Sequence, residues 1–499
     1  MSRLFKNIIY NLSGQGLILI LSFIAVRYIF KELGEDTLGI IYFAIVLSSV
    51  LCAVLEMGIC STTVREVASH FEKEPIYIRQ TIQTASFFYW SIYFISVVLI
   101  WFFIPIAVEK WITLKELEPV TAVQMLRILG IATMSVLPQR FYVSLIRGLQ
   151  RMEFSNFIDV AAMGIQQIGI IVILILGGGP IHIAYWFVVS FSFSILAYLF
   201  ISAHFFTWRA MIPKYFSSVV KRNIAYARKM MSISLLSMVY MQADKLIISK
   251  LLPIGAVGYY GVGYNGMSKG SLLTDAVAQA AFPSFSVLFK AGNKLGLMSQ
   301  YRKLHDLICF ITVPLFAAVP FISGPLFGYV FNEEVAKTLF LPLVILSAGF
   351  YMHGTLTIPY FFSLATGKPE ISVKANFLAL PIVLPATVAL IYWFALFGAA
   401  FSWVFYHLFL YVYAVPRICS ECLKISVKEW YFHIGRIVIL TISTYGTAWC
   451  VLAFFAYSIP ALILAYLIAS VAFICGGCKL IDKGLIATSR SFFREALNK

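Results

Sequence analysis

Nine ionisable residues fall inside stretches that are otherwise apolar enough to cross a bilayer: Arg27, Glu56, Arg127, Arg140, Asp159, Asp244, Lys245, Lys269 and Asp275. A charge at the bilayer centre costs about 2.5–3.5 kcal/mol on insertion scales, so such residues face a watery cavity or a partner. The five cations, Arg27, Arg127, Arg140, Lys245 and Lys269, are candidates for a cationic cavity that holds a diphosphate while an attached lipid tail stays in the bilayer. Arginine suits phosphate because its planar fork binds two oxygens at once. Glu56, Asp159, Asp244 and Asp275, together with His353, are candidates for ion coupling or gating, because an intramembrane carboxylate or imidazole can take up and release a proton or a cation. The same residues also admit a structural reading. Arg27 with Glu56, or Lys269 with Asp275, would neutralise each other inside a helix bundle, residues near span ends would snorkel to the headgroups, and His353 or His407 would simply hydrogen-bond a neighbouring helix.

The elements that position these residues follow from composition. Of the 499 residues, 61% are hydrophobic and only 12% charged, half the charge of an ordinary soluble protein. That excludes a soluble enzyme. At about 20 residues per crossing, the apolar runs number about fourteen, and the reading is an all-α integral membrane protein. The seventh and eighth runs, near 230–250 and 256–276, are the weakest, because they carry Asp244, Lys245, Lys269 and Asp275. The longest polar stretches, 65–80, 208–229 and 289–306, are too short to bury a core of their own. The first apolar run shows no small-residue cleavage site, so it is expected to remain in the protein.

With fourteen crossings the loops alternate in charge. Most Lys and Arg fall on the side of the N-terminus, including Arg209, Lys214, Lys221, Arg222, Arg228 and Lys229, whereas Glu32, Glu35, Asp36, Glu109, Glu116, Glu118, Glu333 and Glu334 fall opposite. Cytoplasmic loops are the basic ones, which puts both termini in the cytoplasm of a bacterial or archaeal cell. The net charge of +16 is then mostly orientation bias, and a nucleic-acid partner is not expected. The basic tail 479–499 reads as a contact for anionic membrane lipids.

Short echoes recur at a separation of about 216 to 219 residues: Lys6-Asn7-Ile8 with Arg222-Asn223-Ile224, Leu38-Gly39 with Val257-Gly258, and Arg151-Met152-Glu153 with Lys368-Pro369-Glu370. At these separations Glu56 coincides with Asp275, Asp159 with Asn376, and Arg27 with Lys245. The organisation read from this is two parallel six-helix lobes, 1–207 and 230–416, joined by a basic cytoplasmic linker 208–229. Two extra transmembrane helices over 417–478 and the tail 479–499 follow. Parallel lobes of this kind enclose a central site near the midplane, which suits alternating access.

Other motifs carry less. Cys419-x-x-Cys422 and Cys475-x-x-Cys478 have zinc-ligand spacing but no nearby histidine pair, and no metal site is expected from them. Gly177-Gly178-Gly179-Pro180 is a turn. Pro138, Pro283, Pro314, Pro320 and Pro359 interrupt spans or their ends and permit bending. No Ser/His/Asp set or nucleotide loop is readable. Any transport is therefore passive or driven by a proton or sodium ion, with no cofactor.

The run Leu55-Glu56-Met57-Gly58-Ile59-Cys60-Ser61-Thr62-Thr63-Val64-Arg65-Glu66-Val67-Ala68 resembles the polysaccharide transporter family of the multidrug/oligosaccharidyl-lipid/polysaccharide exporter superfamily, in which the second span ends in acid-x-Gly, small residues and Arg. Leu33-Gly34 with Gly39, Gly148-Leu149-Gln150-Arg151 and Gly258-Tyr259-Tyr260 support it, and the resemblance extends over nearly the whole chain. Here Glu56 stands where Asp is commoner, and Leu252-Pro253 where Leu-Gly is usual. The resemblance implies a flippase, not an enzyme, for undecaprenyl-diphosphate-linked oligosaccharides such as O-antigen or capsule repeat units. A polysaccharide polymerase and a chain-length regulator are its expected partners. The alternatives are a lipid II flippase, a drug exporter of the same superfamily and, from another class, a membrane-embedded glycan polymerase. The last would usually carry a sizeable outward loop, and the longest here, near 109–119, is short.

Overall fold

A computed structural model describes residues 3–454 and 458–478, all helix and connecting turn. The basic tail 479–499 lies outside the described residues. In chain order the helices are α1 (Arg3–Leu55), α2 (Ile59–His70), α3 (Pro75–Lys110), α4 (Pro119–Met134), α5 (Val136–Gly148), α6 (Met152–Ile175), α7 (Pro180–Phe206), α8 (Trp208–Met211) and α9 (Ser217–Leu251). They continue as α10 (Gly255–Lys290), α11 (Lys294–Ala317), α12 (Val319–Val330), α13 (Glu333–Ala365), α14 (Glu370–Arg417), α15 (Val427–Thr441), α16 (Thr447–Ala453) and α17 (Ile459–Gly477). Short π-helical stretches follow α14 and α15. Helix is what a bilayer demands, since it satisfies every backbone polar group within the segment.

The side chains are sorted as in a lipid-embedded bundle. On α3 the outward face exposes Phe94, Val98, Phe102 and Ile106, while Thr81, Thr84, Ser86 and Ser96 are buried. In water such an apolar outer surface would aggregate; in lipid it is the ordinary solvent-facing side. Ten helical segments among the described residues are long and apolar enough to cross a membrane, eleven if the bent pair α11–α12 is one span. Two of them are merged pairs. α1 breaks its helical dihedrals at Gly34 and α14 at Ala395. α9, which carries Asp244 and Lys245, is not among the ten. Fourteen crossings require α1 and α14 each to cross twice and α9 to cross once.

The chain divides into two compact units, residues 1–261 and 262–499. The division falls inside α10, beyond the 208–229 linker, because α9 and the first turns of α10 pack on α1, α2 and the α3–α4 loop. In the first unit Tyr89, Phe141, Tyr142 and Tyr198 are fully buried; in the second, Phe285, Phe362 and Phe473 are.

Both units repeat the same backbone hydrogen bonds at the separations read from the sequence. α5 ends with Gln150 N–H donating to the Arg147 carbonyl (3.0 Å) and Arg151 N–H to that of Ile146 (3.1 Å); α13 ends with Gly367 to Leu364 (3.1 Å) and Lys368 to Ser363 (2.9 Å). Gln150 and Gly367 both take left-handed dihedrals there, with φ of 58° and 77°. Gly177 and Ala395, also equivalent, both have positive φ, 79° and 48°. The turn geometry is thus common to both units even where glycine is replaced.

Candidate functional site

The buried charge of the first unit is organised in pairs. Lys245 and Asp244 are almost fully buried on α9. The Lys245 ammonium lies 3.0 Å from Asp244 Oδ1 and donates a second hydrogen bond, 2.7 Å, to the Met241 carbonyl. The other oxygen of Asp244 accepts the Tyr260 hydroxyl at 2.9 Å. Both charges are therefore compensated, which a low-dielectric interior requires. Arg140 on α5 reaches Glu56 at 3.4 Å. Glu56 sits at the break between α1 and α2, where Met57 and Gly58 take positive φ of 48° and 69°. Its partner is Arg140 rather than Arg27. Its repeat mate Asp275 lies within the uninterrupted α10 and is half-buried.

The remaining candidates separate. Arg127 stacks over the Trp101 ring at 4.7 Å and donates to the Trp101 carbonyl at 3.1 Å. Asp159 accepts the buried Tyr198 hydroxyl at 2.7 Å, and its repeat mate Asn376 accepts that of Tyr406 at 2.8 Å. Each ties one crossing to the next. Arg27 and Lys269 are half-buried and take part in further interactions. In the second unit His407 donates from Nδ1 to the Trp403 carbonyl at 2.7 Å, and His353 Nδ1 lies 3.2 Å from His407 Nε2. With His407 Nδ1 committed as a donor, its Nε2 accepts from His353 while both rings are neutral. Such a pair can accommodate one extra proton.

Sequence reading missed what holds α9 at its two ends. Near its start, Arg65 pairs with the buried Glu66 and donates to Asn223 Oδ1 at 3.1 Å. Tyr77 donates to Glu66 at 3.0 Å, and Asn223 donates to the Tyr77 hydroxyl at 2.8 Å. Arg222 forks onto Glu74 at 2.8 and 3.1 Å and lies over the Tyr77 ring. The hydrogen bonds from Arg222 hold the Glu74 carboxyl below its ordinary value. Gly58 lies so close to α9 that a Cβ on it would stand 2.2 Å from the Ala227 carbonyl oxygen. Beside this contact α2, α3 and α9 enclose a cavity of about 220 Å³ lined by Thr62, Thr63, Thr81, Thr84 and apolar side chains.

At the other end Asp36 is fully buried. One of its oxygens accepts the backbone N–H groups of Lys115, Glu116 and Leu117 at 2.7, 2.7 and 3.1 Å. The folded loop meets α9: Trp111 donates to Ser249 at 2.9 Å and Lys250 to the Lys110 carbonyl at 2.6 Å. Gly39 is pressed against Ile254. Asn223 had signalled itself as part of an echo, whereas the Asp36 contact lies 79 to 81 residues away and has no local signature.

This all-helical bundle, with compensated charges in its interior, matches known proteins along its length. Residues 4–289, more than half of the chain, match the polysaccharide biosynthesis protein family. The chain belongs to that family. A Shigella flexneri protein described as "Putative O-antigen transporter" is 21% identical over 420 residues, spanning 83% of this chain and 98% of that protein. Among solved structures, lipid II flippase MurJ in an inward closed conformation aligns over 98% of this chain and 100% of its own, with 15% identity and a TM-score of 0.68. An inward-facing multidrug resistance MATE family transporter of the MOP superfamily aligns over 81% of this chain and 94% of its own, with 12% identity and a TM-score of 0.67. The fold is therefore that of MOP-superfamily transporters. The chain is a multi-pass membrane protein.

Proposed function

We propose that the chain is a flippase that moves undecaprenyl-diphosphate-linked oligosaccharide repeat units, of O-antigen, capsule or a related polysaccharide, across the cytoplasmic membrane by alternating access. In this reading the chain crosses fourteen times, as two six-helix lobes, 1–207 and 230–416, and two further helices over 417–478. Both termini are cytoplasmic. The observation that carries the proposal is the buried Lys245–Asp244–Tyr260 set in an otherwise apolar bundle. A permanently buried ion pair is a costly way to hold helices together, but an ammonium can turn from its carboxylate to a diphosphate if the carboxylate it leaves takes up a proton or a cation. Arg140, paired with Glu56, is disposed in the same way, and Arg27, Arg127 and Lys269 complete the proposed cationic set.

The carboxylates released when the cations engage substrate are then the sites for a coupling proton or sodium ion. Glu56 and Asp244 are the first candidates, with Asp159, Asp275 and His353 behind them. His353 gains from its neighbour His407, since a bridged imidazole pair stores one proton. The alignment over the full length of the lipid II flippase supports a lipid-linked substrate over the drug-exporter reading, because the multidrug transporter aligns over only 81% of this chain. Lipid-linked repeat units, membrane lipids, a polysaccharide polymerase and a chain-length regulator are the proposed partners.

The experiment is transport of a diphosphate-linked oligosaccharide lipid in reconstituted vesicles by the wild type, Lys245→Ala and Arg27→Ala. Both variants, reconstituted in equal amount of folded protein, should lose at least ten-fold in rate. Unchanged rates in both would remove the cationic site from the account.

A further inference from the structure

In the second unit, away from every residue used above, three donor groups converge where α11 meets α15. His305 and Asp306 are adjacent on α11 and buried; His433 comes from α15. One ligand atom from each lies within 4.8 Å of the others. Two imidazoles and a carboxylate form a ligand set for divalent transition metals. The orientation also fits. His433 Nε2 is buried and only 2.9 Å from Asp306 Oδ1, yet among the described residues it makes no hydrogen bond. The two atoms are close without being aimed at each other.

The surroundings are those of a built site. The Tyr301 ring stacks on that of His305 with centroids 5.4 Å apart and planes within 13°, and Trp430 closes the other side at 5.7 Å. One turn along α11, the buried thiol of Cys309 lies 3.7 Å from His305 Nε2 and is in reach as a fourth donor. No spacing motif announces the set, because His433 lies far along the chain from the adjacent His305 and Asp306. Of the two Cys-x-x-Cys motifs, which have metal spacing, Cys475 and Cys478 are exposed, and Cys419 and Cys422 are not among the clustered donors.

We propose that His305, Asp306 and His433 bind a zinc-class divalent ion, with Cys309 as the fourth ligand, and that this ion clamps α15, the first helix of the C-terminal pair, to α11. Zinc–ligand bonds run about 2.0–2.3 Å, so the three donor atoms, within 4.8 Å of one another, would close in on a shared ion. The His433 side chain is 28% exposed and forms the outer edge of the cluster.

Full-length protein purified without a polyhistidine tag, stripped with chelator and titrated with Co²⁺ tests this. One equivalent should bind and give the visible absorption of a tetrahedral site with a thiolate charge-transfer band, and Zn²⁺ should displace it. His433→Gln, at the most exposed ligand and hence the least disturbing to folding, should weaken Co²⁺ binding at least ten-fold, and Asp306→Asn should do the same. Cys309→Ser should abolish only the charge-transfer band. Zn²⁺ should raise the unfolding temperature of the wild type and not that of His433→Gln. Absence of a stoichiometric Co²⁺ spectrum, or equal Co²⁺ affinity in wild type and His433→Gln, would overturn the proposal and leave the cluster as an ion pair between His433 and Asp306.

Discussion

Gly39 and Gly258, equivalent positions of the internal repeat, pack directly on one another: a Cβ on Gly258 would stand 3.0 Å from the Gly39 nitrogen, and one on Gly39 2.2 Å from the Ile254 carbonyl oxygen. No side chain fits between these backbones. At the opposite end of α9, Gly58 has the same relation to Ala227, also at 2.2 Å. α9 has 35 residues, a rod of about 52 Å at 1.5 Å per residue. It is thus held near both ends by contacts that only glycine allows, with the Lys245–Asp244 pair along its length. In an alternating-access cycle one end opens while the other stays closed.

The two glycine contacts should therefore be separable. Gly39→Val keeps the loop end from closing, and Gly58→Val, which adds the strain of a side chain at φ of 69°, keeps the α2 end from closing. Spin labels on exposed Glu32 and Lys250 should move apart in the first variant only, and labels on Glu72 and Lys221 in the second only. Transport should fall at least ten-fold in both. Equal distances in all three proteins would show that neither contact governs closure.

Removing one member of the buried pair should cost more than removing both. Lys245→Ala leaves the Asp244 carboxylate buried without its ammonium, a loss of about 3–5 kcal/mol for such pairs, seen as a lower unfolding temperature in detergent. The double variant Asp244→Asn/Lys245→Met should recover much of that stability and still fail to transport. Recovery of transport with stability would make the pair structural only.

The α2 end should weaken in acid. Glu74 has a folded-state pKa held below the ordinary 4.5 by Arg222. The stabilisation from this pair is therefore fully present above about pH 4.5 and is lost as pH falls through the lower folded value. Thermal unfolding followed from pH 7 to pH 3 should show a smaller acid-induced drop in Glu74→Gln than in the wild type. Identical pH profiles would mean that the Arg222 fork adds nothing measurable at this exposed position.

Ala395 occupies a turn whose counterpart is glycine. Its φ of 48° and ψ of −129° lie where a Cβ is strained, a cost of about 1–3 kcal/mol. Ala395→Gly should raise the unfolding temperature by an amount equivalent to about 1 kcal/mol, and Gly177→Ala should lower it. A destabilised Ala395→Gly would show that the side chain is held by packing stronger than its strain.

Much of the fold was readable because bilayer chemistry is simple: length and apolarity set the helices, and a repeat that survives at Arg151 and Lys368 survives also in the turns those residues close. The crossings at α9 and α10 were harder, since Asp244, Lys245 and Lys269 lower the hydropathy that marks a span. Intramembrane charges could be found from the sequence, but their partners could not. Glu56 finds Arg140, 84 residues away, and Arg127 turns to Trp101, choices set by which helix faces pack together. The His305–Asp306–His433 group escaped for the same reason, as did Asp36, whose three amide contacts are formed only when the α3–α4 loop folds back.

The central claim is that a lipid-linked oligosaccharide is carried across the membrane by this chain. It is tested most directly by deleting the gene in its host and measuring on which face of the membrane the undecaprenyl-diphosphate-linked repeat unit accumulates. The account predicts single units trapped on the cytoplasmic face and loss of the surface polysaccharide, restored by the wild-type chain but not by Lys245→Ala. Normal surface polysaccharide with new sensitivity to cationic dyes would contradict it and point to drug export.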